Sequence, residues 1–380
     1  MKHSTDRILT THAGSLPRPA DLLQAMRDGG VADPAIIQSA VAEAVERQLA
    51  VGLDVIDDGE MSKPSFVTYV QGRLAGFEVA GEPAGFPWAD SREVLAFPGF
   101  YEASVRQGAN DARRAPRLAC TGPVTYTGHA AVHTDIDNLR AALQGRTVAD
   151  AFLPAISPSN IEGRWPNRHY KTDEEYLFAI AEAMREEYTA IVDAGFLVQI
   201  DDPRLVTYYI MQPSASVEDC RRWAEVRVDA LNHALRFIPR DRVRFHTCYS
   251  INMGPRVHDM QLRDIVDVLL KVRAGAYSFE AANPRHEHEW RVWRDVTLPE
   301  STVLIPGVIT QSTVLVEHPE LVAERIARFA SVVGRERVIA GADCGFASFA
   351  GSTEIHPTVA WAKLQALVEG ARLATKQLWR

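Results

Sequence analysis

Residues 242–250 read RVRFHTCYS. Val243 and Phe245 carry a short apolar run, and polar residues follow it at once. In an extended segment alternate side chains share a face, so His246 and Cys248 point the same way. A short apolar strand that turns polar at its C-terminal end is the pattern of a buried parallel strand feeding an active-site loop. If the pattern recurs along the chain, it decides the fold.

It recurs. Similar runs are RILTT (7–11), LDVID (53–57), RLACT (117–121), FLVQID (196–201), AYSFE (276–280), TVLIPG (302–307) and RVIAGA (337–342). With RVRFH (242–246) they make eight. Most are continuously apolar rather than alternating, as buried parallel strands are. Segments of helical period lie between most of them: 35–51, 173–194, 216–237, 259–274, 319–333 and 358–378. Gly52, Gly195, Gly275 and Gly334 stand where helix C-caps belong. Eight strands alternating with helices in 380 residues predict an α/β fold, one (β/α)8 TIM barrel over residues 1–380. The spacing is uneven. The stretches 78–115 and 150–172, rich in Gly, Pro and aromatic residues, read as loops inserted after strands two and three, and as the segments able to close over a site. A doubly wound sheet is the other architecture, but no GxGxxG or Walker A sequence follows a strand.

Composition narrows the function. The chain is 46% hydrophobic and 24% charged, with 41 basic against 49 acidic residues, a net charge of −8. There is no basic stripe, which argues against nucleic acid as partner. No apolar run is long enough for a membrane span, and the first residues lack a signal-peptide core. Four cysteines, Cys120, Cys220, Cys248 and Cys344, do not make a disulfide framework, so a reducing cytoplasm is the expected location. The expected partners are small molecules. A homo-oligomer is compatible with the sequence, which does not fix the oligomeric state.

Active sites of such barrels gather at the C-terminal ends of the strands. Those ends here are polar: His12, Gly14 and Ser15 after strand one; Asp57, Asp58 and Glu60 after strand two; Asp201 and Asp202 after strand four; Thr310, Gln311 and Ser312 after strand seven. His246, Cys248, Glu280 and Cys344 fall at the ends of strands five, six and eight. One imidazole, two thiols and a carboxylate suit Zn2+, with the glutamate as the weak ligand able to give way to an incoming sulfur. Cys120 and Cys220 read as core residues. His286 and His288, in NPRHEHEW, read as a charged loop near the rim. His12 fits a site residue and a structural hydrogen-bonding residue equally well. A hydrolase using His12, Asp57 or Asp201 as acid and base is the reading from another class, and two thiolates, which blunt a metal's Lewis acidity, argue against it.

Taken together, THAGSLPRP (11–19), GLDVIDDGE (52–60), CTGPVTY (120–126), VQIDDP (198–203), HTCYS (246–250), SFEAAN (278–283) and GADCGF (341–346) resemble the catalytic barrel of cobalamin-independent methionine synthase. The resemblance implies zinc held by His246, Cys248, Glu280 and Cys344. It implies a homocysteine carboxylate at Gly14 and Ser15, and a homocysteine ammonium between Glu60 and Asp201. It implies a zinc-dependent alkyl transfer, of a methyl group, from a small-molecule donor to a substrate thiol. Three departures qualify this. The full-length synthases carry a further N-terminal barrel that grips the folate tail, and one barrel lacks that grip. The histidine that serves there as general acid aligns with Ser312, a poorer proton donor at neutral pH. The D-E-P sequence becomes Asp201-Asp202-Pro203. Short single-barrel relatives include epoxyalkane:coenzyme M transferases, which open an epoxide with a zinc-activated thiol, and these supply the alternative function. Coenzyme M carries a sulfonate, for which Arg18, Arg164, Arg168 or Arg204 would be wanted.

Overall fold

The apolar runs form strands wherever they are flanked by turn residues. The structure is a computed structural model describing residues 1–27, 33–81, 88–106, 117–249, 254–352 and 354–380. Parts of the expected 78–115 insertion, and Ser250 of the HTCYS run, lie outside the described residues. Within them the strands are β1 (Leu9–Thr10), β2 (Val55–Ile56), β3 (Leu74–Val79), β4 (Leu118–Tyr126), β5 (Asp150–Ile156), β6 (Leu197–Asp201), β7 (Val243–Thr247), β8 (Ala276–Phe279), β9 (Val303–Ile309) and β10 (Ile339–Ala342).

Eight of these form one sheet in the order β1-β10-β9-β8-β7-β6-β5-β2, and every pairing in it is parallel. The ends of that order meet. The Asp54 N–H donates to the Thr10 carbonyl at 3.1 Å, and the Thr11 hydroxyl donates to the Val55 carbonyl at 2.9 Å. The result is a (β/α)8 barrel. Strands β6 to β9 are buried along their whole length, as parallel barrel strands are; β9 is continuously apolar, while β6 and β7 carry buried polar residues.

The barrel interior is not wholly apolar. Gln199 on β6 and Arg244 on β7 are register neighbours. Gln199 Nε2 donates to the Ala13 carbonyl at 2.7 Å. Arg244 donates to the Thr11 hydroxyl and the His12 carbonyl at 3.1 and 3.0 Å, and its guanidinium lies 3.8 Å over the Phe152 ring. These two side chains reach across the barrel and fix the segment that leaves β1.

Most helix expectations hold. The helix Pro34–Val51 starts at Asp33, whose carboxylate caps the Ala35 N–H, and stops at Gly52 with φ of 96°, a left-handed conformation glycine adopts without a steric penalty. Val217–Ala234 begins with a capping box between Ser216 and Asp219. The helix expected at 259–274 is reduced to a 3-10 turn, Leu262–Asp264, and one α-helical turn, Val266–Leu269. Gly275 starts the approach to β8, donating to the Val243 carbonyl, and is not a helix cap.

One strand assignment is corrected. RLACT does not supply the third barrel strand. It belongs to β4, which pairs antiparallel with β3 outside the barrel sheet. The third barrel strand is β5, DAFLPAI, within the stretch read as an insertion. Pro154 gives that stretch a loop-like look, since proline donates no ladder hydrogen bond. The barrel tolerates it because β2 pairs β5 only at Asp150 and Ala151, leaving that side of β5 without a ladder at Pro154. A single insertion, running from β2 to β5 and carrying the β3–β4 hairpin, therefore replaces the two expected loops. Buried Arg73 pins it down, pairing with Asp135 at 2.5 Å and Glu187 at 3.1 Å, while Tyr69 and Tyr126 donate to Glu187 at 2.7 and 2.6 Å.

Candidate metal centre

The parallel register brings the chemistry to one rim. Asp201 at the end of β6 lies opposite His246 on β7, and His246 lies opposite Ser278 on β8. Cys248 follows β7 by one residue, and Cys344 follows β10 by two. The donor atoms of His246, Cys248 and Cys344 all lie within 4.8 Å of one another, and the Cys344 thiol donates to Cys248 Sγ at 3.2 Å. All three residues are buried.

The imidazole is arranged to bind a ligand through one nitrogen. His246 Nδ1 lies 3.0 Å from Ser278 Oγ, while Nε2 is buried with no protein partner. A buried nitrogen without a partner is costly unless something else fills the position. Burial, and then the nearby Arg244 cation, push the His246 pKa down to about 3, so the ring is neutral, the form that coordinates a metal. The Cys344 thiol is raised well above its ordinary value by its hydrogen bond to Cys248, by burial and by the nearby Cys248 and Glu280 charges. A buried thiol raised in this way stays protonated unless a cation takes the charge. One imidazole and two thiolates with a free fourth position is a donor set found at catalytic zinc sites.

Glu280, expected as a fourth ligand, is beside this group but outside it. Its Oε1 accepts the Tyr249 N–H at 2.8 Å. Its Oε2 accepts from Arg256 at 2.7 Å and from the Asn283 amide at 2.7 Å. Burial raises the Glu280 carboxyl while Arg256 pulls it down, and the net direction is up.

A second group adjoins the first. Glu60 is buried, has a φ of 57°, rare for a residue with a side chain, and leaves Oε2 without a partner. The turn is held from both sides: Asp58 Oδ1 accepts the Glu60 N–H at 3.0 Å, and Arg18 donates to the Glu60 carbonyl at 3.0 Å. Backbone strain stored at one residue and over-determined by its neighbours is a mark of functional sites. Gly14, with φ of 122°, faces Glu60 closely enough that an added Cβ would lie 3.0 Å from Oε1. Burial raises Glu60; burial and then the Glu60 charge raise Asp201 well above the carboxylate range. The two carboxyls thus share an electrostatic environment that a cation between them would relieve. Ser15 closes the ring: a Cβ on Gly345 would lie 2.0 Å from Ser15 Oγ, so the Ser15 turn rests directly on the Asp343-Cys344-Gly345 turn. From Ser15 through Gly345, Cys344, Cys248, His246 and Asp201 to Glu60 and Gly14, neighbours circle one mouth of the barrel.

Other expected residues take different places. His12 Nδ1 accepts the Gly14 N–H at 3.2 Å, and Nε2 lies 2.7 Å from Gln48 Oε1; both nitrogens are used, so His12 orients the turn after β1 from beneath. Ser312 lies in the loop after β9, its hydroxyl 2.7 Å from that of Thr310, and it is not part of the ring. Arg18 spends its two terminal nitrogens on the carbonyls of Glu60, Lys63 and Ala347. His288 is exposed, whereas His286 is buried between Glu289 and Asp259, at 2.7 and 3.0 Å. Cys120 and Cys220 are core residues, as expected. Sequence reading missed Ser278 and Arg256, and gave Asp343 no role. Asp343 accepts the N–H groups of Ala281, Ala282 and Asn283 at 2.7, 2.8 and 3.0 Å, fixing the loop that carries Glu280.

Residues 164–372 match the family described as "Cobalamin-independent synthase, Catalytic domain", more than half of the chain. A methionine synthase of Thermococcus kodakarensis is 23% identical over 98% of this chain and 94% of its own length. One of Saccharolobus solfataricus is 24% identical over 98% of this chain and 96% of its own. The fold matches that of a B12-independent methionine synthase from Shewanella sp. W3-18-1, solved with selenomethionine, with a TM-score of 0.72 at 20% identity, covering 98% of this chain and 99% of that one. A Listeria monocytogenes structure described as a "Putative Vitamin-B12 Independent Methionine Synthase" gives 0.66 at 19% identity over 96% of this chain and 98% of that one. The chain belongs to the cobalamin-independent synthase catalytic-domain family.

Proposed function

We propose that this protein is a zinc-dependent S-methyltransferase that methylates homocysteine. The observation that carries the reading is the adjacency of two groups: the His246, Cys248 and Cys344 donors, and, one register step away, the facing carboxyls of Asp201 and Glu60. A ligand spanning them carries a thiol at one end and an ammonium at the other. The buried carboxyls would repel a sulfonate, so coenzyme M is disfavoured as the thiol.

His246, Cys248 and Cys344 would hold the zinc ion, which supplies a lowered pKa for a substrate thiol and so a nucleophilic sulfur at neutral pH. The chain does the rest. Glu60 and Asp201 bind the ammonium, and its charge keeps both carboxylates ionised. The turn of Gly14 and Ser15 receives the carboxylate, Ser15 through its backbone N–H and hydroxyl, and Gly14 through the close approach its missing side chain allows. The thiol proton leaves before attack, the S–CH3 bond forms as the donor's bond to that methyl breaks, and the donor takes up a proton. Ser312 is the hydroxyl we assign to the donor side. The barrel mouth orients both reactants and excludes water, which supplies much of the rate. The protein acts as one barrel unit on small molecules. No described helix is long and apolar enough to cross a membrane.

The test is calorimetric titration of the zinc-loaded protein with homocysteine and with coenzyme M. Homocysteine binding with proton release, absent in Cys248→Ala, supports the reading. Full methyl transfer by a zinc-free Cys248→Ala protein overturns it.

A further inference from the structure

We infer that His129, His133 and Glu186 form a second divalent-metal site, on the outside of the barrel, that clamps two of its outer helices together. The inference goes beyond the function proposed above and does not rest on it.

The two helices are His129–Ala142 and Asp173–Asp193, which pack against each other. The first opens with the sequence HAAVH, residues 129–133. Side chains four apart on a helix share a face, with Cβ atoms about 5–6 Å apart. This is the spacing by which one helix offers two imidazoles to one ion. Both histidines are exposed, and both line one groove with Glu186 and Asp193 of the facing helix. Glu186 is already in place, its Oε2 lying 3.3 Å from His129 Nε2. The Tyr126 ring meets the His129 ring edge-on, with centroids 5.1 Å apart and planes at 86°. The three donors are less tightly drawn together than those at the barrel mouth. A rotamer change at exposed His133 completes the set.

Charge in the groove favours a cation. Two arginines line it, but each pairs within its own helix, Arg140 with Asp137 at 2.6 Å and Arg185 with Glu182 at 2.7 Å. Glu186 is left with His129 alone, and Asp193 has no cationic partner among the described residues. Two imidazoles and a carboxylate suit Zn2+, Ni2+ or Cu2+ better than Mg2+ or Ca2+, which take oxygen donors. The position gives such an ion a consequence. Asp135, two residues beyond His133, and Glu187, next to Glu186, are the carboxylates that hold Arg73. Tyr126 touches His129 and donates to Glu187. An ion bridging the two helices therefore stiffens the root of the β3–β4 hairpin.

The test is uptake of further Zn2+ by the full chain already loaded at the barrel mouth, read by calorimetric stoichiometry and by thermal unfolding. The wild-type protein takes up one more ion per chain, and its unfolding midpoint rises by about 2 °C. His133→Ala and Glu186→Gln lose both effects, whereas His169→Ala, which removes an exposed histidine elsewhere, keeps them. Cys248→Ala, which alters the mouth alone, keeps the groove ion and its thermal shift, so failure of the mouth reading leaves this test intact. If wild type takes up no further ion, or if His133→Ala takes up as many as wild type, the proposal is wrong.

Discussion

Ser278 matters through a single contact. Its hydroxyl engages His246 Nδ1, which fixes the ring orientation that leaves Nε2 for the metal; partners of this kind are worth about 10- to 100-fold in metal affinity. Ser278→Ala should weaken Zn2+ binding in that range by chelator competition, and Ser278→Thr should retain it. An unchanged affinity in Ser278→Ala would remove the role assigned to the hydroxyl. Gly345 makes a steric prediction. A methyl group there lands on Ser15 Oγ, and overpacking typically costs about 1–3 kcal/mol. Gly345→Ala should raise KM for homocysteine about tenfold or more while a thiol lacking the carboxylate is bound as before. Loss of both thiols equally would show that the substitution disturbs the metal donors instead. The three donors were legible in the sequence because strand alternation puts His246 and Cys248 on one face and because Asp-Cys-Gly follows an apolar strand. Ser278 was not, since its partnership depends on the β7–β8 register, which one strand read alone does not reveal. Arg256 was missed for a related reason: it lies far from Glu280 in sequence and in no strand.

At the scale of elements, β5 and β4 show why local pattern misleads. Both are apolar runs bounded by turn residues, and the one interrupted by Pro154 is the barrel strand. The difference is the neighbour: β5 has a long parallel partner in β6 and only a two-residue partner in β2, and that information is non-local. The β3–β4 hairpin that occupies the insertion is held by ion pairs more than by sheet pairing to the barrel. Arg73 is buried and pairs with two carboxylates; the Glu187 carboxyl, which burial would raise, is held below its ordinary value by Arg73, Tyr126 and Tyr69. Removing the guanidinium takes from Asp135 and Glu187 their shared ion-pair partner. Arg73→Ala should cost about 3–5 kcal/mol in chemical denaturation, and adding Glu187→Gln should recover part of that loss. A loss below about 1 kcal/mol would place the pair among those that contribute little.

Across the whole molecule, the parallel barrel was readable because burial on both faces writes itself into the sequence as short, mostly apolar runs that recur between helical segments. What could not be read was how the insertion reaches the site. Glu93 of the insertion accepts the backbone N–H groups of Arg256 and His258 at 3.1 and 2.8 Å, and from there a buried chain of charges runs through Asp259 and His286 to Glu289. His286 gives this chain a measurable signature. Burial alone would push its pKa down, but the hydrogen bonds to Asp259 and Glu289 outweigh it and raise the value to about 9, against an ordinary value near 6.5. Between those two values the folded protein binds a proton that the unfolded chain has released, so stability must fall as pH rises. The contribution is fully present below about pH 6.5 and is lost by about pH 9, and its upper size is roughly 3 kcal/mol. Chemical denaturation of the zinc-free protein at intervals across that window should show this decline, and His286→Gln should flatten it while lowering stability at pH 6. A variant with the same pH slope as the native chain would mean that His286 is neutral in its charged surroundings. The charge link from the insertion to Arg256 would then have to run through Asp259 alone.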